Sequence, residues 1–563
     1  MSNNLESSLP GMVEPFLGTL KQKGFKGRID TSDETRQDYS HDASLFELVP
    51  EAVVFPRDED DLERLVAAVN ECKKHMPALN LTARSAATCM SGGAIGDSVV
   101  IDFRKHFTKI ESVNDHSARV QPGVLYRDFE AQTLKHNRGI LPTFPASREL
   151  ASVGGMVAND AGGEKSLRYG KTENFVEKLR VVLSDGNTYE SSALKRDELA
   201  AKRKLKDFEG DIYRQMFELL DDNYEAIKAA KPKVSKNSTG YNLWDVWDRD
   251  SGVFDLTKLF VGSQGTLGLI SDIHFRLIHD SPHSGVLVCF MKNMDDLGEL
   301  INKVVATKPA SFEAFDNHTL MLAIKFFPYF RKTLGWGGLL KLGLQLIPDA
   351  FLLFRGIPKM VLLIEYTGET AEEVKQQVHA MREKLEPFRL EAMEEDATEA
   401  KAWKFRIMRR ESFNLLRKKV KDKHTAPFID DFVVPPQHLV EFLPKLRRII
   451  RKYNLLATLA GHMGDGNFHV IPLMKIEDPR QRRKLEPCMR EVNKLVLSYG
   501  GSLSGEHNDG MIRGPWLEQM YGKEIVDLFR QTKQIFDPHN IFNPHKKTDA
   551  DWHFSMSHIR EKF

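Results

Sequence analysis

The sequence predicts an α+β protein with two domains, and three observations lead to this fold class. The chain has 563 residues, which is too long for one hydrophobic core. Between residues 50 and 103, strand-like apolar runs alternate with apolar residues at helical spacing, as in an α/β unit. A second mixed set of strand and helix patterns occupies residues 285–475. We therefore expect two packed domains, each with its own core.

The elements of the first domain follow from its strand and helix patterns. A polar lead-in at residues 1–44 contains one short helix near residues 13–23. The domain itself is expected at residues 45–280, and it begins with a strand from Pro50, a helix over 60–75, a strand over 79–83, a glycine-rich loop and a strand over 98–103. The lysine- and glutamate-rich residues 189–241 predict a helical excursion, and strand-like runs at 259–261 and 269–277 close the domain.

Composition excludes several classes of protein. The formal net charge of +1 gives no global field that would attract nucleic acid. The cysteines are scattered without a CxxC pair, which argues against a disulfide framework or an iron–sulfur cluster within the chain: Cys72, Cys89, Cys289 and Cys488. The first residues lack both a basic start and an apolar core, so we expect no secretory signal and a cytoplasmic location.

Residues 461–469 read Gly-His-Met-Gly-Asp-Gly-Asn-Phe-His and predict a β-hairpin that carries a metal site. Asp465-Gly466 is a typical pair for a type I′ turn. A turn centred there would place His462 opposite His469, with Cβ atoms roughly 4.5–5.5 Å apart on one face. Glu506 is a candidate third ligand, and the adjacent His507 can carry a proton near neutral pH. The alternative is a pair of histidines that only stabilises the hairpin.

Two runs of small residues are candidates for binding a cofactor phosphate. Residues 83–93 lie between two predicted strands, and residues 145–163 form the second run. Backbone N–H groups in such loops can approach a pyrophosphate closely. No GxGxxG sequence follows a predicted strand, so the dinucleotide fingerprint of Rossmann folds is absent. Taken alone, a plain tight loop is the more common explanation of either run.

Five motifs occur in a fixed order along the chain. They are residues 50–56 ahead of an amphipathic helix, residues 151–159, residues 262–268, the 461–469 hairpin followed by Ser504-Gly505-Glu506-His507, and Asp537-Pro538 followed by residues 541–544. In this order they resemble the FAD-linked oxidases, a family that includes D-lactate, glycolate and D-2-hydroxyglutarate dehydrogenases. The resemblance covers about residues 45–547, nearly the whole chain.

The resemblance implies a division of the chain into functional parts. Residues 45–280 would form a two-subdomain FAD-binding domain of the PCMH type, as in vanillyl-alcohol oxidase. Residues 281–499 would form an α+β substrate (cap) domain, and residues 500–547 would return to the flavin domain before a tail at 548–563.

The resemblance also implies one FAD per chain. The residues expected to contact it are Arg84, Ser85, Ala86, Ala87, Thr88, Ser91, Gly92, Pro145, Ala146, Ser147, Ser152, Gly154, Gly155, Asn159, Gly265, Gly268, Ile270 and Asn543. Relatives usually carry glycines where this chain has Ser85, Ala86 and Ala87, so the resemblance does not determine the backbone conformation of this loop. Covalent relatives attach FAD through a histidine in or near this loop. Residues 84–98 contain no histidine, and we therefore expect noncovalent FAD.

The reaction implied by the resemblance is the oxidation of a D-2-hydroxy acid to the 2-oxo acid, with hydride transfer to flavin N5. Arg406 would bind the substrate carboxylate, since a guanidinium can engage a carboxylate through two hydrogen bonds. His462, His469 and Glu506 would hold a divalent metal such as zinc, manganese or iron, which lowers the pKa of the hydroxyl. His507 would take the hydroxyl proton as general base.

Substrate size and electron acceptor are less constrained by the motifs. Residues 428–435 lack the lysine that D-2-hydroxyglutarate relatives carry near this strand, which favours D-lactate over D-2-hydroxyglutarate. The segment His507-Asn508-Asp509-Gly510 resembles long relatives that carry an added iron–sulfur part, so a separate acceptor is implied here: a quinone, a cytochrome or an iron–sulfur protein. Two alternatives stay open, an FAD enzyme for another alcohol or sugar acid and a flavin subunit of a larger electron-transfer complex.

Residues 320–360 form a basic, aromatic-rich insertion in the second domain. Cations and aromatic side chains alternate along it, and Asp349 is its one acidic residue. No apolar run reaches the roughly 20 residues that a membrane span requires. The pattern is typical of a segment that lies on an anionic membrane surface, which would place the protein peripherally on the inner face of a membrane. A helical pair packed on the second domain explains the pattern equally well.

Overall fold

The structure is a computed structural model that describes residues 13–561, apart from residues 137, 318, 322–336, 338–356, 389 and 397–422. Most of the basic, aromatic-rich insertion lies outside the described residues, and so does the predicted substrate ligand Arg406. The α+β fold class is confirmed, because helices pack on three main sheets along the described part of the chain.

The first sheet forms a small α/β unit, as the sequence predicts. Its strands have the order β1-β2-β4-β3, with β1 antiparallel to β2 and the other pairs parallel. The longest helix of the unit begins after Asp58, whose carboxylate accepts a hydrogen bond from Asp61 N (3.0 Å), and its apolar face packs on the sheet. The elements are α1 (Glu14–Gln22), β1 (Arg28–Asp30), α2 (Asp33–Asp38), β2 (Ala52–Phe55), α3 (Glu59–Cys72), β3 (Leu81–Arg84) and β4 (Val99–Asp102).

The second sheet is antiparallel and completes the first domain. Its strands are β5 (Ile110–Val113), β6 (Ser117–Val120), β8 (Val176–Val182), β9 (Thr188–Leu194), β10 (Phe254–Asp255) and β11 (Leu269–Arg276), with β7 (Gly139–Ile140) and β12 (Ile278–His279) paired beside them. The order across the sheet is β10-β9-β8-β11-β6-β5. The helices are α4 (Tyr126–Thr133), α5 (Val153–Asn159), α6 (Ser166–Tyr169), α7 (Arg196–Lys202), α8 (Phe208–Asp222), α9 (Tyr224–Ala230) and α10 (Thr257–Phe260).

Two predictions for this domain have different outcomes. The helical excursion at residues 189–241 is confirmed in part, because α7, α8 and α9 lie within it after the end of β9. The strand predicted at residues 259–261 is wrong, since this apolar run ends the short helix α10. A buried run of three or four apolar residues has no period that distinguishes a strand from a helical turn.

The third sheet is the centre of the second domain. Its strands pair antiparallel in the order β16-β13-β15-β14-β19-β20-β17, and β18 also pairs with β20. The strands are β13 (His283–Met291), β14 (Ser311–Asp316), β15 (Met360–Gly368), β16 (Leu390–Asp396), β17 (His424–Thr425), β18 (Phe432–Val433), β19 (Leu456–His462) and β20 (Asn467–Met474). The helices that accompany it are α11 (Leu297–Val305), α12 (Ala371–Leu385), α13 (Leu439–Lys452), α14 (Pro479–Arg482) and α15 (Leu485–Ser498).

The C-terminal segment returns to the first domain. After α16 (Gly510–Arg513), helix α17 (Leu517–Phe536) buries Phe529 and Phe536 in the core beneath the second sheet. The chain then runs along β3, where Leu81 N donates to Ile541 O (2.7 Å) and Asn543 N donates to Leu81 O (2.8 Å). The last helix is α18 (Trp552–Ser557). Among the described residues, the helices are too short or too polar for any of them to cross a membrane.

Candidate functional site

The hairpin predicted at residues 461–469 exists, but its register differs from the prediction. His462 pairs with Asn467, and His469 pairs with Ala460. Residues 463–466 form the connection, with a 3₁₀ turn over Met463–Asp465 and a left-handed Gly466 (φ 67°). The predicted direct opposition of His462 and His469 is therefore wrong, because loop length and conformation set the register of a hairpin. The two histidines are diagonal neighbours on one face, with ring centroids 5.6 Å apart.

Gly466 is required where the turn meets β18. A β-carbon at this position would lie 1.8 Å from Val434 O, and the positive φ also disfavours other residues. The turn is thereby held against the segment that carries Asp430 and Asp431, and His469 of β20 faces the carboxylate of Asp430.

His462, His469, Glu506 and His507 lie together and are called the histidine cluster below. His462 Nε2 lies 3.2 Å from Glu506 Oε1, and His469 Nε2 lies 3.9 Å from Glu506 Oε2. The rings of His469 and His507 stack with centroids 5.0 Å apart. The structure thus brings together the three predicted metal ligands and the predicted general base, although they come from two separate parts of the sequence.

Carboxylates contact the Nδ1 atoms of the three imidazole rings and orient them. His462 Nδ1 lies 2.6 Å from Glu313 Oε1. Asp430 contacts two rings, with Oδ1 3.1 Å from His469 Nδ1 and Oδ2 2.8 Å from His507 Nδ1. A carboxylate on one ring nitrogen fixes the tautomer and leaves the other nitrogen as the donor to a metal or the acceptor for a proton. The Nε2 atoms of His462 and His469 consequently face Glu506.

Lys236 is part of this site, and the sequence analysis missed it. Its side chain is fully buried, and Nζ lies 2.6 Å from Glu506 Oε1 and 3.0 Å from Asp465 Oδ2. It also donates to Gly163 O (3.2 Å). The residue belongs to the end of the helical excursion, where one more lysine in a lysine-rich stretch gives no local signal of a role.

Asp431 lies close to the cluster but serves as a scaffold. Its ligand atoms and those of His469, Glu506 and His507 lie within 4.8 Å of one another. However, its carboxylate already accepts hydrogen bonds from Ser504 Oγ (2.5 Å), Asn467 Nδ2 (3.0 Å) and the backbone N–H groups of Glu506 (3.0 Å) and His507 (2.7 Å). Since these donors occupy its lone pairs, Asp431 fixes the backbone of residues 504–507.

Buried negative charge exceeds buried positive charge around the cluster. Among the described residues that contact the cluster or its direct partners, the buried acids are Glu313, Asp430, Asp431, Asp465 and Glu506, and the buried cations are Lys236 and Arg513. With neutral histidines, these five acids outnumber these two cations, although Glu313 has a further partner besides His462. Buried charge is costly in a protein interior unless it is paired or neutralised.

The pKa values of the cluster reflect this excess. Burial lowers the pKa of His462, but Glu313 and Glu506 outweigh it and raise the pKa to about 9. Burial also lowers the pKa of His507, whereas Asp431 and Asp430 raise it to about 9. Burial raises the pKa of Glu506, but Lys236 and His462 hold it well below its usual value. The site therefore attracts protons or another cation, and His462, His469 and Glu506 offer a nitrogen and oxygen donor set that fits a divalent metal.

A cleft of about 740 Å³, a volume that includes the open solvent at its mouth, lies beside the cluster and is called the cofactor cleft below. The predicted cofactor ligands that line it are Arg84, Ser85, Ala86, Ala87, Thr88, Ser152, Gly154, Gly155, Asn159, Gly265, Gly268 and Ile270. The chain approaches the cleft closely at Gly154, where a β-carbon would lie 2.6 Å from Pro122 O. Ala87 adopts a left-handed conformation (φ 52°), so the loop follows a path that glycines adopt more readily even though this chain has none at residues 85–87.

The other predicted cofactor ligands are not part of the lining of the cleft. Ser91 and Gly92 lie in the sequence between Cys89 and Gly93, which both line the cleft. Asn543 Nδ2 donates to Gly93 O (2.9 Å) and Gln264 O (2.7 Å) and so connects two loops that line the cleft. The loop of Pro145, Ala146 and Ser147 is not part of the lining. Gln264 lines the cleft and was missed, because a glutamine within a glycine-rich motif looks like a variable position.

Two hydrogen bonds link the surroundings of the cofactor cleft to the segment that carries His507. Ser91 Oγ donates to His507 O (3.1 Å). Asn508 Nδ2 donates to Asn159 O (3.2 Å), and Asn159 lines the cleft. The predicted general base therefore lies next to the space for the cofactor, at the junction of the two domains.

Comparison with known proteins agrees with this arrangement. Residues 50–192 match the profile of an FAD binding domain, and residues 281–547 match that of the FAD linked oxidases, C-terminal domain. The chain is 30% identical to a D-2-hydroxyglutarate dehydrogenase of Pseudomonas putida over 94% of its own length, and it spans about half (51%) of that protein. It is 26% identical to the glycolate oxidase subunit GlcD of Bacillus subtilis, with 93% of this chain and 94% of that protein covered. A D-lactate dehydrogenase of Anaerostipes hadrus is 26% identical, with 95% and 97% covered.

Solved structures share the fold at low sequence identity. The 4-ethylphenol oxidase from Gulosibacter chungangensis superposes with a TM-score of 0.68 at 14% identity, covering 96% of this chain and 98% of that one. p-Cresol methylhydroxylase gives a TM-score of 0.66 at 14% identity, with the same coverage of 96% and 98%. With both domains matched in order and the fold shared across their length, the chain belongs to the FAD-linked oxidases that carry a PCMH-type FAD-binding domain.

Proposed function

We propose that this protein is an FAD-dependent dehydrogenase that oxidises a D-2-hydroxy acid to the corresponding 2-oxo acid. The observation that carries the proposal is the position of the histidine cluster, which abuts the cofactor cleft through the Ser91–His507 and Asn508–Asn159 hydrogen bonds. A base and a cation-binding group beside a flavin suit the removal of a hydroxyl proton and a C2 hydride from one substrate. The names of the relatives support the same class of substrate.

His507 is the proposed general base. Asp430 Oδ2 lies 2.8 Å from its Nδ1, so Nε2 is the nitrogen that accepts the substrate proton. Stacking on His469 holds the ring in place, and the side chain stays partly exposed. His507 thus has the orienting carboxylate that general bases of this type need, and Nε2 must release the proton that its raised pKa of about 9 favours before it can accept one from the substrate.

Two groups supply the remaining chemistry when bound: FAD accepts the hydride, and a divalent ion polarises the hydroxyl and carboxylate oxygens of the substrate. His462, His469 and Glu506 are the proposed ligands of that ion, whether zinc, manganese or iron. Arg406 lies outside the described residues and stays a prediction as the ligand of the substrate carboxylate. For the distal end of the substrate we propose D-lactate first and D-2-hydroxyglutarate second, because residues 428–435 lack the lysine that the resemblance to D-2-hydroxyglutarate enzymes leads one to expect there.

FAD is proposed to bind noncovalently. Residues 84–98 contain no histidine, and burial raises the pKa of the Cys89 thiol, which leaves this cysteine a poor nucleophile. Acid precipitation should release the yellow colour into the supernatant, and flavin that stays with the pellet would contradict this part of the proposal. A separate quinone, cytochrome or iron–sulfur protein is proposed to reoxidise the flavin. This protein could reach a membrane-bound acceptor by docking at an anionic membrane surface.

A dye-reduction screen tests the proposed reaction. Purified holoprotein is mixed with D- and L-lactate, D- and L-2-hydroxyglutarate, glycolate and a sugar acid, and the reduction of an artificial acceptor is followed. We expect reduction with the D acids and none with their L enantiomers. Oxygen uptake measured in parallel separates a dehydrogenase from an oxidase. A preference for an L acid or for the sugar acid would contradict the proposal.

A further inference from the structure

Residues 235–240 of the first domain lie against the C-terminal segment and the hairpin turn. Ser235 Oγ donates to Asp465 O (3.0 Å), Ser238 N donates to Ser504 O (2.9 Å), and Gly240 N donates to Asp509 Oδ2 (2.8 Å). These contacts on both sides of Lys236 fix its backbone, so its side chain enters the histidine cluster in one defined direction.

The ammonium group of Lys236 is enclosed inside the cluster. Nζ donates hydrogen bonds to Glu506 Oε1 (2.6 Å) and Gly163 O (3.2 Å), and it forms an ion pair with Asp465 Oδ2 at 3.0 Å. The side chain has no exposed surface. A substrate therefore cannot reach Lys236, and the role of this residue must act through Glu506 or Asp465.

The two oxygens of Glu506 have different surroundings. Oε1 contacts both Lys236 Nζ and His462 Nε2, whereas Oε2 faces His469 Nε2 at 3.9 Å. A lysine that holds Oε1 at 2.6 Å restricts the rotation of the carboxylate and keeps Oε2 directed at the histidines. It also places a positive charge within a few ångströms of the position where a divalent cation would share the same carboxylate.

We propose that Lys236 is a positioning residue for the metal ligand Glu506 and that its charge weakens the affinity of the histidine cluster for a divalent cation. The inference rests on the metal site of the proposed function. Two cations beside one carboxylate in a partly desolvated site repel each other strongly, because the effective dielectric constant there is well below that of water. A charged hydrogen bond to Oε1 also withdraws electron density from the ligand. The ion that binds beside Lys236 is thus held less tightly and remains a stronger Lewis acid.

The test uses purified holoprotein with bound FAD, freed of metal by a chelator and titrated with zinc alone against a chromophoric chelator. Lys236→Met removes the charge at similar side-chain length, and Lys236→Gln keeps an N–H donor for Glu506. Lys236→Arg keeps the charge. Lys233→Met, at an exposed position of the same segment, is the control for loss of a lysine.

We expect both neutral variants to bind zinc at least tenfold more tightly than the wild type, with Lys236→Arg and Lys233→Met within threefold of it. Unchanged or weaker binding in the neutral variants of a wild type that binds zinc would overturn the role of Lys236 alone. A wild-type protein that binds no zinc would overturn this proposal together with the metal site of the proposed function. Failure of both neutral variants to fold would also overturn it, because it would make Lys236 a structural ion pair.

Discussion

Replacing Asp430 by asparagine should inactivate the enzyme while leaving its fold and flavin in place. Asp430 contacts Nδ1 of His469 at 3.1 Å and Nδ1 of His507 at 2.8 Å. A carboxylate can only accept hydrogen bonds, so each ring faces Asp430 with a proton on its Nδ1. An asparagine of the same size offers an NH₂ group to one of them, and that ring must move its proton to Nε2 in order to accept.

The loss of kcat expected for Asp430→Asn depends on which ring, His507 or His469, faces the new NH₂ group. If the NH₂ group faces His507, Nε2 becomes protonated and can no longer take the substrate proton, which removes the roughly 10²–10⁴-fold contribution of a general base. If it faces His469, the Nε2 donor to the metal is lost, and loss of such an orienting carboxylate typically weakens metal binding by about 10- to 100-fold. With saturating metal, we therefore expect kcat to fall by roughly 10³ and the flavin content to stay near one per chain.

The assay is steady-state dye reduction with D-lactate at saturating zinc, manganese or iron, together with flavin absorbance and a thermal melt. Asp280→Asn, at a partly exposed carboxylate of the first domain, is the control for the same chemical change. If Asp430→Asn retains kcat within threefold of the wild type with a normal flavin spectrum, the assignment of His507 as an Asp430-oriented base is wrong.

Further predictions address the metal ligands, the cofactor cleft and pH. His462→Ala and His469→Ala should each abolish turnover without loss of FAD, and elemental analysis should show loss of the metal; full activity after confirmed metal loss would contradict this. Gly154→Ala should sharply reduce flavin content, since its β-carbon would lie 2.6 Å from Pro122 O, while Gly18→Ala, with open space around its β-carbon, should have no effect. Because the pKa of His462 is raised to about 9 in the metal-free site, metal binding must displace a proton below that pH. Metal affinity should rise up to tenfold per pH unit from pH 6 towards 9 and then level off, and a flat profile in a chelator competition would refute the displaced proton.

The sequence predicted the residues of the cluster better than their geometry. His462, His469, Glu506 and His507 were identifiable because they occur in two short motifs. The register of the hairpin was not, since Asp465 in the turn is buried and binds Lys236 rather than facing solvent as a type I′ turn residue would. An Asp-Gly pair predicts a turn from backbone preferences, and a buried contact of the aspartate selects a different one.

The residues that orient the cluster could not be found from local patterns. Glu313 reaches His462 because β14 pairs with β19 and places these two residues opposite each other. Glu313 looks like any acidic residue of a strand until that pairing is known. Lys236 and Asp430 are likewise defined by contacts between segments 39 to 270 residues apart. Motifs therefore predicted the groups that contact a ligand, while the groups that set their direction depend on the tertiary fold.

The site is assembled from parts of both domains. Glu313 and Asp430 come from the second domain, Lys236 comes from the first, and Glu506 and His507 come from the segment that returns between them. A metal held by His462, His469 and Glu506 would bind only when these parts are packed together, and a ligand that binds one arrangement of a protein stabilises that arrangement. When the site holds no metal, protons on His462 and His507 offset part of the buried carboxylate charge, because the pKa of each is raised to about 9, and a bound cation would take over this role. The same five acids that make the cluster a candidate metal site thus make the junction between the domains depend on what the site holds.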